Sequence, residues 1–206
     1  METQVLIIGA GPTGVSLANQ FVRYGIDFII VDKKETVTEL SKALVVHARS
    51  LEIYEQLGLS EKAVEIGQVM HKIRMLNDGK IRAEVPITDI GKGFSSFPFA
   101  LVLEQSKNEH LLYNNLVKHG KVVLWQTELE SLSQDSDCVK ATLKKSDGKT
   151  FEVEAKYLVG CDGASSPTRH FLNLDFGGST IPRLFYVADI EMKIKLPHDV
   201  LNVTLG

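Results

Sequence analysis

Scarcity defines much of this sequence. Two cysteines, Cys138 and Cys161, in 206 residues give no disulfide framework and no C-x-x-C pair. Six histidines show no H-x-x-x-H spacing, so no metal is expected. Lysine and arginine number 23 against 26 acidic residues, a net charge of −3. Without a basic excess, binding to nucleic acid or to an anionic membrane has no electrostatic basis. No apolar run approaches the roughly 18 residues of a membrane helix. Met1 leads almost directly into an apolar strand, without the pattern of a signal peptide. The expectation is a soluble, cytoplasmic protein. There is no G-x-S-x-G elbow, no Walker lysine, no repeat and no low-complexity tract.

What is present is a globular composition, 44% hydrophobic and 24% charged, with enough length for one large domain or two small ones. The first thirty residues are the most informative. Val5-Leu6-Ile7-Ile8 reads as a strand buried on both faces. It ends at Gly9-Ala10-Gly11-Pro12-Thr13-Gly14. From Pro12 the period becomes helical, with Val15, Ala18, Phe21 and Val22 on one face and Gly25 as the stop. Phe28-Ile29-Ile30-Val31 is a second buried strand, ending at Asp32. This strand, turn, helix and strand form the context that the G-x-G-x-x-G motif needs to bind a dinucleotide. Gly9 permits the tight turn, Gly11 admits a pyrophosphate close to the backbone, and Gly14 lets helix and strand pack. Amide groups at the helix N-terminus face the phosphates, and Asp32 is placed to accept ribose hydroxyls. The motif serves NAD and FAD alike, and aspartate at position 32 leans toward NAD.

The remaining chain reads as two short helices, Ser50 to Leu57 and Ser60 to Ile66, the second capped by Ser60. A hairpin turns at Asn77-Asp78-Gly79. A loop carries Gly91, Gly93, Phe94, Phe97 and Phe99. Ser106-Lys107-Asn108-Glu109 reads as a capping box opening a helix that ends at Gly120. Val122 to Trp125 is a strand, and a hairpin returns at Asp147-Gly148. Tyr157 to Cys161 is a final strand running into Asp162-Gly163. A meander before the last parallel strand departs from the simple βα succession of NAD dehydrogenases.

Three stretches together resemble the FAD-dependent aromatic hydroxylases, the single-component flavoprotein monooxygenases of the p-hydroxybenzoate hydroxylase type. They are Gly9 to Gly14 with Asp32, the stretch Leu103-Glu104-Gln105-Ser106 before a helix, and Asp162-Gly163-Ala164-Ser165-Ser166-Pro167-Thr168-Arg169. Lys42 to Glu52 also resembles the segment that carries the family's cofactor-facing arginine. The likeness implies an α/β fold: a Rossmann-like FAD-binding domain of the GR2 type, with an inserted β meander and the beginning of a substrate-domain sheet. It implies FAD held by Gly9, Gly11, Pro12, Thr13 and Gly14 at the pyrophosphate. Asp32 and Lys33 would serve the adenosine end, Arg49 the pyrophosphate, Gln105 the ribityl chain, and Asp162 and Gly163 the flavin side. Arg169, with Asp162, would communicate with NADPH or NADH. The implied reaction is reduction of the flavin by NAD(P)H, then reaction with dioxygen and hydroxylation of a small aromatic substrate. No catalytic residue is assigned. His47, in the segment resembling the flavin-facing one, reads better as structural than as a partner for a phenol.

Family members are much longer, and their second FAD motif is built on Gly-Asp. This sequence contains no Gly-Asp dipeptide. Arg183 to Val187, Ile190 to Leu196 and Val200 to Leu205 alternate like strands of a substrate sheet whose partners lie elsewhere. The expected division is 1–72 for the FAD-binding βαβ unit and helices, and 73–98 for a β excursion toward the substrate domain. Residues 99–175 would complete the FAD-binding domain with the meander and D-G motif, and 176–206 would begin the substrate sheet. The fold would be incomplete at its C-terminus. A homo-oligomer or a complementing C-terminal chain would then be a partner. The competing readings are a nucleotide-binding fragment without catalysis and a non-hydroxylating flavoprotein of the same fold.

Overall fold

Val5 to Ile8 become the centre of a sheet. The computed structural model describes residues 1–39, 43–186, 188, 193 and 197–205, and the chain divides into two units, 1–39 with 109–182 and 40–108 with 183–206. In chain order the elements are β1 (Glu2–Ile8), α1 (Pro12–Tyr24), β2 (Phe28–Val31), β3 (Val45–Val46), α2 (Ala48–Gln56), α3 (Ser60–Ile66), β4 (Gln68–Met70), β5 (Lys72–Asn77) and β6 (Lys80–Pro86). There follow β7 (Ala100–Val102), α4 (Gln105–Lys118), β8 (Val123–Leu124), β9 (Thr127–Gln134), β10 (Val139–Lys145), β11 (Thr150–Gly160), α5 (Pro167–Phe171) and β12 (Val200–Leu205).

The first unit is built on a six-stranded sheet in the order β8-β2-β1-β11-β10-β9. Strands β8, β2, β1 and β11 run parallel, and β9 and β10 continue antiparallel. Leu6 and Ile7 are completely buried, as a strand covered on both faces requires. On one face Leu6, Ile8 and Val31 join Leu129, Leu143, Val153 and Ala155 in a single cluster. Each large aliphatic side chain withdrawn this way contributes about 1.5–3 kcal/mol. Helix α1 packs against β1 and β2 through buried Val15 and Ala18. It ends where Gly25 adopts the left-handed conformation, φ 67°, and its N–H returns to the Val22 carbonyl.

One sequence expectation is revised here, and one strand is added. The hairpin return and the final parallel strand are one element: β11 pairs antiparallel with β10 over Thr150–Ala155 and parallel with β1 over Glu154–Gly160. This single strand joins the meander to the parallel sheet. Strand β9 carries a polar sequence, TELESLSQ, and gave no clear alternation. Its register with β10, interrupted by an irregularity at Thr142/Leu143, makes it a strand.

The second unit holds two three-stranded sheets, β12-β5-β6 and β3-β7-β4. The hairpin of β5 and β6 turns at Asp78 and Gly79, both with positive φ, the type I′ geometry that their sequence favours. Of the alternating C-terminal segments, Val200 to Leu205 forms β12, parallel to β5. Arg183 to Tyr186 form no strand, and Val187 and most of Ile190 to Leu196 lie outside the described residues. Ser60 is the first residue of α3 rather than its cap, since Leu59 takes the N-cap position.

The capping box also dissolves. Helix α4 begins at Gln105, so Ser106 lies within it. Glu109 is buried, accepting the Thr38 N–H at 3.3 Å and lying 3.7 Å from the Lys34 ammonium. A buried amide pair links α1 to α4: Asn19 donates to the carbonyls of Val15 and Leu112 and accepts from the Asn115 side chain at 2.7 Å. Asn19→Ala strips partners from a buried acceptor and a buried donor, and should cost about 1–3 kcal/mol in urea unfolding. A loss below about 0.5 kcal/mol would show that these bonds contribute nothing net.

Candidate functional site

A parallel sheet offers a crevice beyond the carboxyl ends of its strands, where the winding reverses. That point is β1, with β2 on one side and β11 on the other. The loops leaving these strands carry Gly9–Gly14, Asp32–Lys33 and Asp162–Gly163.

The three motif glycines have separate causes. A Cβ on Gly9 would strike the Cys161 carbonyl oxygen and lie 2.6 Å from its carbon, and φ is +103°. A Cβ on Gly14 would strike the Gly9 carbonyl oxygen. The fold itself therefore demands both. Gly11 is different: its φ of −76° and ψ of −173° suit any residue, and a Cβ there would meet nothing within 4 Å. No side chain caps the N-terminus of α1. The loop thus presents open space and a helix N-terminus, the arrangement that receives a diphosphate.

Asp32 is 9% exposed. One carboxylate oxygen accepts the Ala10 N–H at 2.6 Å, and the other accepts the Lys34 N–H at 2.8 Å. The side chain predicted for ribose therefore also fixes the glycine loop, which sequence spacing alone did not reveal. Lys33 is exposed beside it.

Asp162 follows β11. Its carboxylate accepts the Thr168 N–H at 3.0 Å, and Ser166 caps α5 by accepting the Arg169 N–H at 2.9 Å. Burial would raise the Asp162 pKa, but hydrogen bonds from Ser166 and Thr168 outweigh it and hold the carboxyl below the ordinary aspartate range. Gly163, φ +81°, makes the turn that follows. The Arg169 guanidinium folds back on its own loop, donating to the Ala164 carbonyl at 2.7 Å and lying 4.6 Å from the Phe176 ring centroid.

Gly9, Asp32, Lys33 and Asp162 line one cleft, joined by Thr127, Glu128 and Pro167. Thr127 and Glu128 carry no motif in the sequence and reach the cleft from the start of β9. Arg49 and Gln105 lie in the second unit. The Arg49 guanidinium pairs with Glu52 at 2.8 Å, and Glu52 also accepts the Ser95 hydroxyl. Gln105 opens α4, its N–H donating to the Ala43 carbonyl at 3.1 Å. His47 is the exposed N-cap residue of α2.

Residues 2–204 match the FAD binding domain family. The chain belongs to that family. Similar curated proteins include a 6-methylpretetramide 4-monooxygenase from Streptomyces rimosus, 33% identical over 95% of this chain and 35% of its own length. A 3-(3-hydroxy-phenyl)propionate/3-hydroxycinnamic acid hydroxylase from Escherichia coli is 32% identical over 96% of this chain and 36% of its own. Among solved structures, an anhydrotetracycline hydroxylase from Streptomyces rimosus superposes with a TM-score of 0.72 at 30% identity, covering 87% of this chain and 36% of that one. A p-nitrophenol 4-monooxygenase from Pseudomonas putida shares the fold, with a TM-score of 0.81 at 21% identity over 87% of this chain and 46% of that one. The chain spans about a third of the length of these curated relatives. The lean of Asp32 toward NAD is overturned: this domain family binds FAD. No helix among the described residues is long and apolar enough to cross a membrane.

The lowered Asp162 pKa makes a pH prediction. A carboxylate whose folded pKa is depressed stabilises the fold above its unfolded pKa, and that contribution disappears as pH falls through the folded pKa. Asp162→Asn should therefore be less stable than the parent at neutral pH. The gap in thermal midpoint should close as pH drops through and below the ordinary aspartate range. A gap independent of pH would contradict the assigned cause.

Proposed function

We propose that the chain is the FAD-binding portion of an NAD(P)H-dependent flavoprotein monooxygenase that hydroxylates a small phenolic compound. One observation carries the reading: packing accounts for Gly9 and Gly14 and leaves Gly11 facing open space. A bound diphosphate explains a glycine where the protein itself does not need one. The names of the relatives, hydroxylases and monooxygenases of aromatic compounds, support the reaction class.

In this reading Gly9, Gly11, Pro12, Thr13 and Gly14 surround the pyrophosphate. Asp32 accepts ribose hydroxyls with its remaining lone pairs, and Lys33 flanks the adenosine end. Asp162 and Gly163 border the flavin side, with Arg169 as a further contact. Residues 1–72 and 99–175 make the cofactor domain, and 73–98 with 176–206 serve the substrate side. FAD, when bound, would supply the two-electron redox chemistry of an NAD(P)H- and dioxygen-dependent hydroxylation, in which one oxygen atom enters the substrate and the other leaves as water. The protein's own contribution is to bind, to orient and to keep water from the reacting centre. The two unpaired cysteines suit a cytoplasmic setting. A second copy of the chain is the macromolecular partner proposed in this reading.

Gly11→Val tests the cradle. Flavin absorbance on titration should show FAD binding abolished, while thermal stability changes by no more than about 1 kcal/mol, the scale of an N-cap substitution. Unchanged FAD affinity would remove the diphosphate from this loop. For the reaction, phenol-dependent NADPH oxidation with a hydroxylated product supports the proposal, and a colourless protein that takes up no FAD contradicts it.

A further inference from the structure

We propose that Glu109 is a positioning residue for the nucleotide end of the cleft, acting on Asp32 through Lys34. The inference rests on reading Asp32 as the acceptor for the adenosine ribose. Glu109 is 1% exposed on a helix whose neighbouring buried positions are Leu112 and Leu116. An apolar residue would fill such a position at lower cost, because burying a carboxylate is expensive unless it is paired. The charge therefore needs a reason, and its contacts supply one.

One oxygen of Glu109 accepts the Thr38 N–H at 3.3 Å and lies 3.7 Å from the Lys34 ammonium. Both residues belong to the segment that follows β2. The same Lys34 donates its backbone N–H to Asp32 at 2.8 Å and accepts from the Gln126 N–H through its carbonyl. The other oxygen of Asp32 accepts the Ala10 N–H within the glycine loop. Polar contacts thus run from α4 to the Lys34 ammonium and from the Lys34 backbone N–H through Asp32 to the loop around Gly11, with the lysine side chain joining the two. The His110 ring, 3.3 Å from Glu39, ties the far end of the same segment to α4. Glu109 does not line the cleft, so its influence on a ligand passes through the residues it holds. Each Asp32 oxygen spends one lone pair on a backbone amide, and those two bonds set the direction of the lone pairs left for a ribose. Releasing Lys34 loosens one of them.

The test compares FAD with an analogue carrying 2′,3′-dideoxyribose at its adenosine end, each titrated by flavin absorbance into the full chain. The parent protein should prefer FAD by roughly tenfold or more, the scale of a charged hydrogen bond. Asp32→Asn should erase most of that preference. Glu109→Gln, nearly isosteric, should reduce it by at least about threefold while affinity for the dideoxy analogue stays within about twofold. Lys34→Met, at a more exposed site, should reproduce the effect and carries the test if Glu109→Gln does not fold. Equal weakening of both ligands by Glu109→Gln would mean a merely structural role and overturns the proposal. So does a preference that Asp32→Asn erases and that neither Glu109→Gln nor Lys34→Met alters. If Asp32→Asn leaves the preference intact, the ribose reading itself fails, and the proposal falls with it.

Discussion

The Cys161 carbonyl occupies the place where a side chain on residue 9 would stand. That close approach of the chain ends of β1 and β11 organises the first unit. It needs glycine at position 9, and the Gly9 carbonyl in turn excludes any side chain at position 14. With both positions bare, α1 starts close against the sheet, and its N-terminus faces the crevice between two parallel strands. The Gly9 N–H is fixed by the Val31 carbonyl at 2.8 Å and the Cys161 N–H by the Ile8 carbonyl. The loop is therefore held on both sides before any ligand arrives, which lowers the ordering cost of binding.

A second layer of polar contacts holds this frame in register. Asp32 ties the exit of β2 to the glycine loop, and Asp162 ties the exit of β11 to the start of α5. Both acids receive backbone N–H groups, so each holds part of the backbone around the cleft. Glu109 and the Asn19–Asn115 pair do similar work further from the cleft. Buried polar groups of this kind persist where each donor and acceptor is matched. In the second unit, the Arg74 and Lys72 ion pairs with Glu84 lie along partly exposed strands. Exposed pairs of that sort contribute little to stability.

Local signals in the sequence reached the elements that local chemistry determines. The βαβ start, the Gly25 stop and the Asp78-Gly79 turn all follow from residues within a few positions of each other. Strand β9 was invisible because its polar residues become a strand only by pairing with β10. The continuity of β11 was missed because its two halves face different partners. Ser106 to Glu109 fits the spacing of a capping box, yet Glu109 turns inward to meet Thr38 and Lys34, which lie far away in sequence. The same limit applies at the site. Gly9, Gly11 and Gly14 were legible by spacing, whereas the backbone duties of Asp32 depend on where Ala10 and Lys34 come to rest.

In the proposed function, the loop from Gly9 to Gly14 receives the FAD diphosphate. Amide chemical shifts of the nitrogen-15-labelled protein, followed during FAD addition, examine it residue by residue. The Gly11, Thr13 and Gly14 resonances should move furthest, with that of Ala10 following through Asp32. Saturable FAD binding that leaves those amides unmoved while others shift would contradict this placement of the diphosphate.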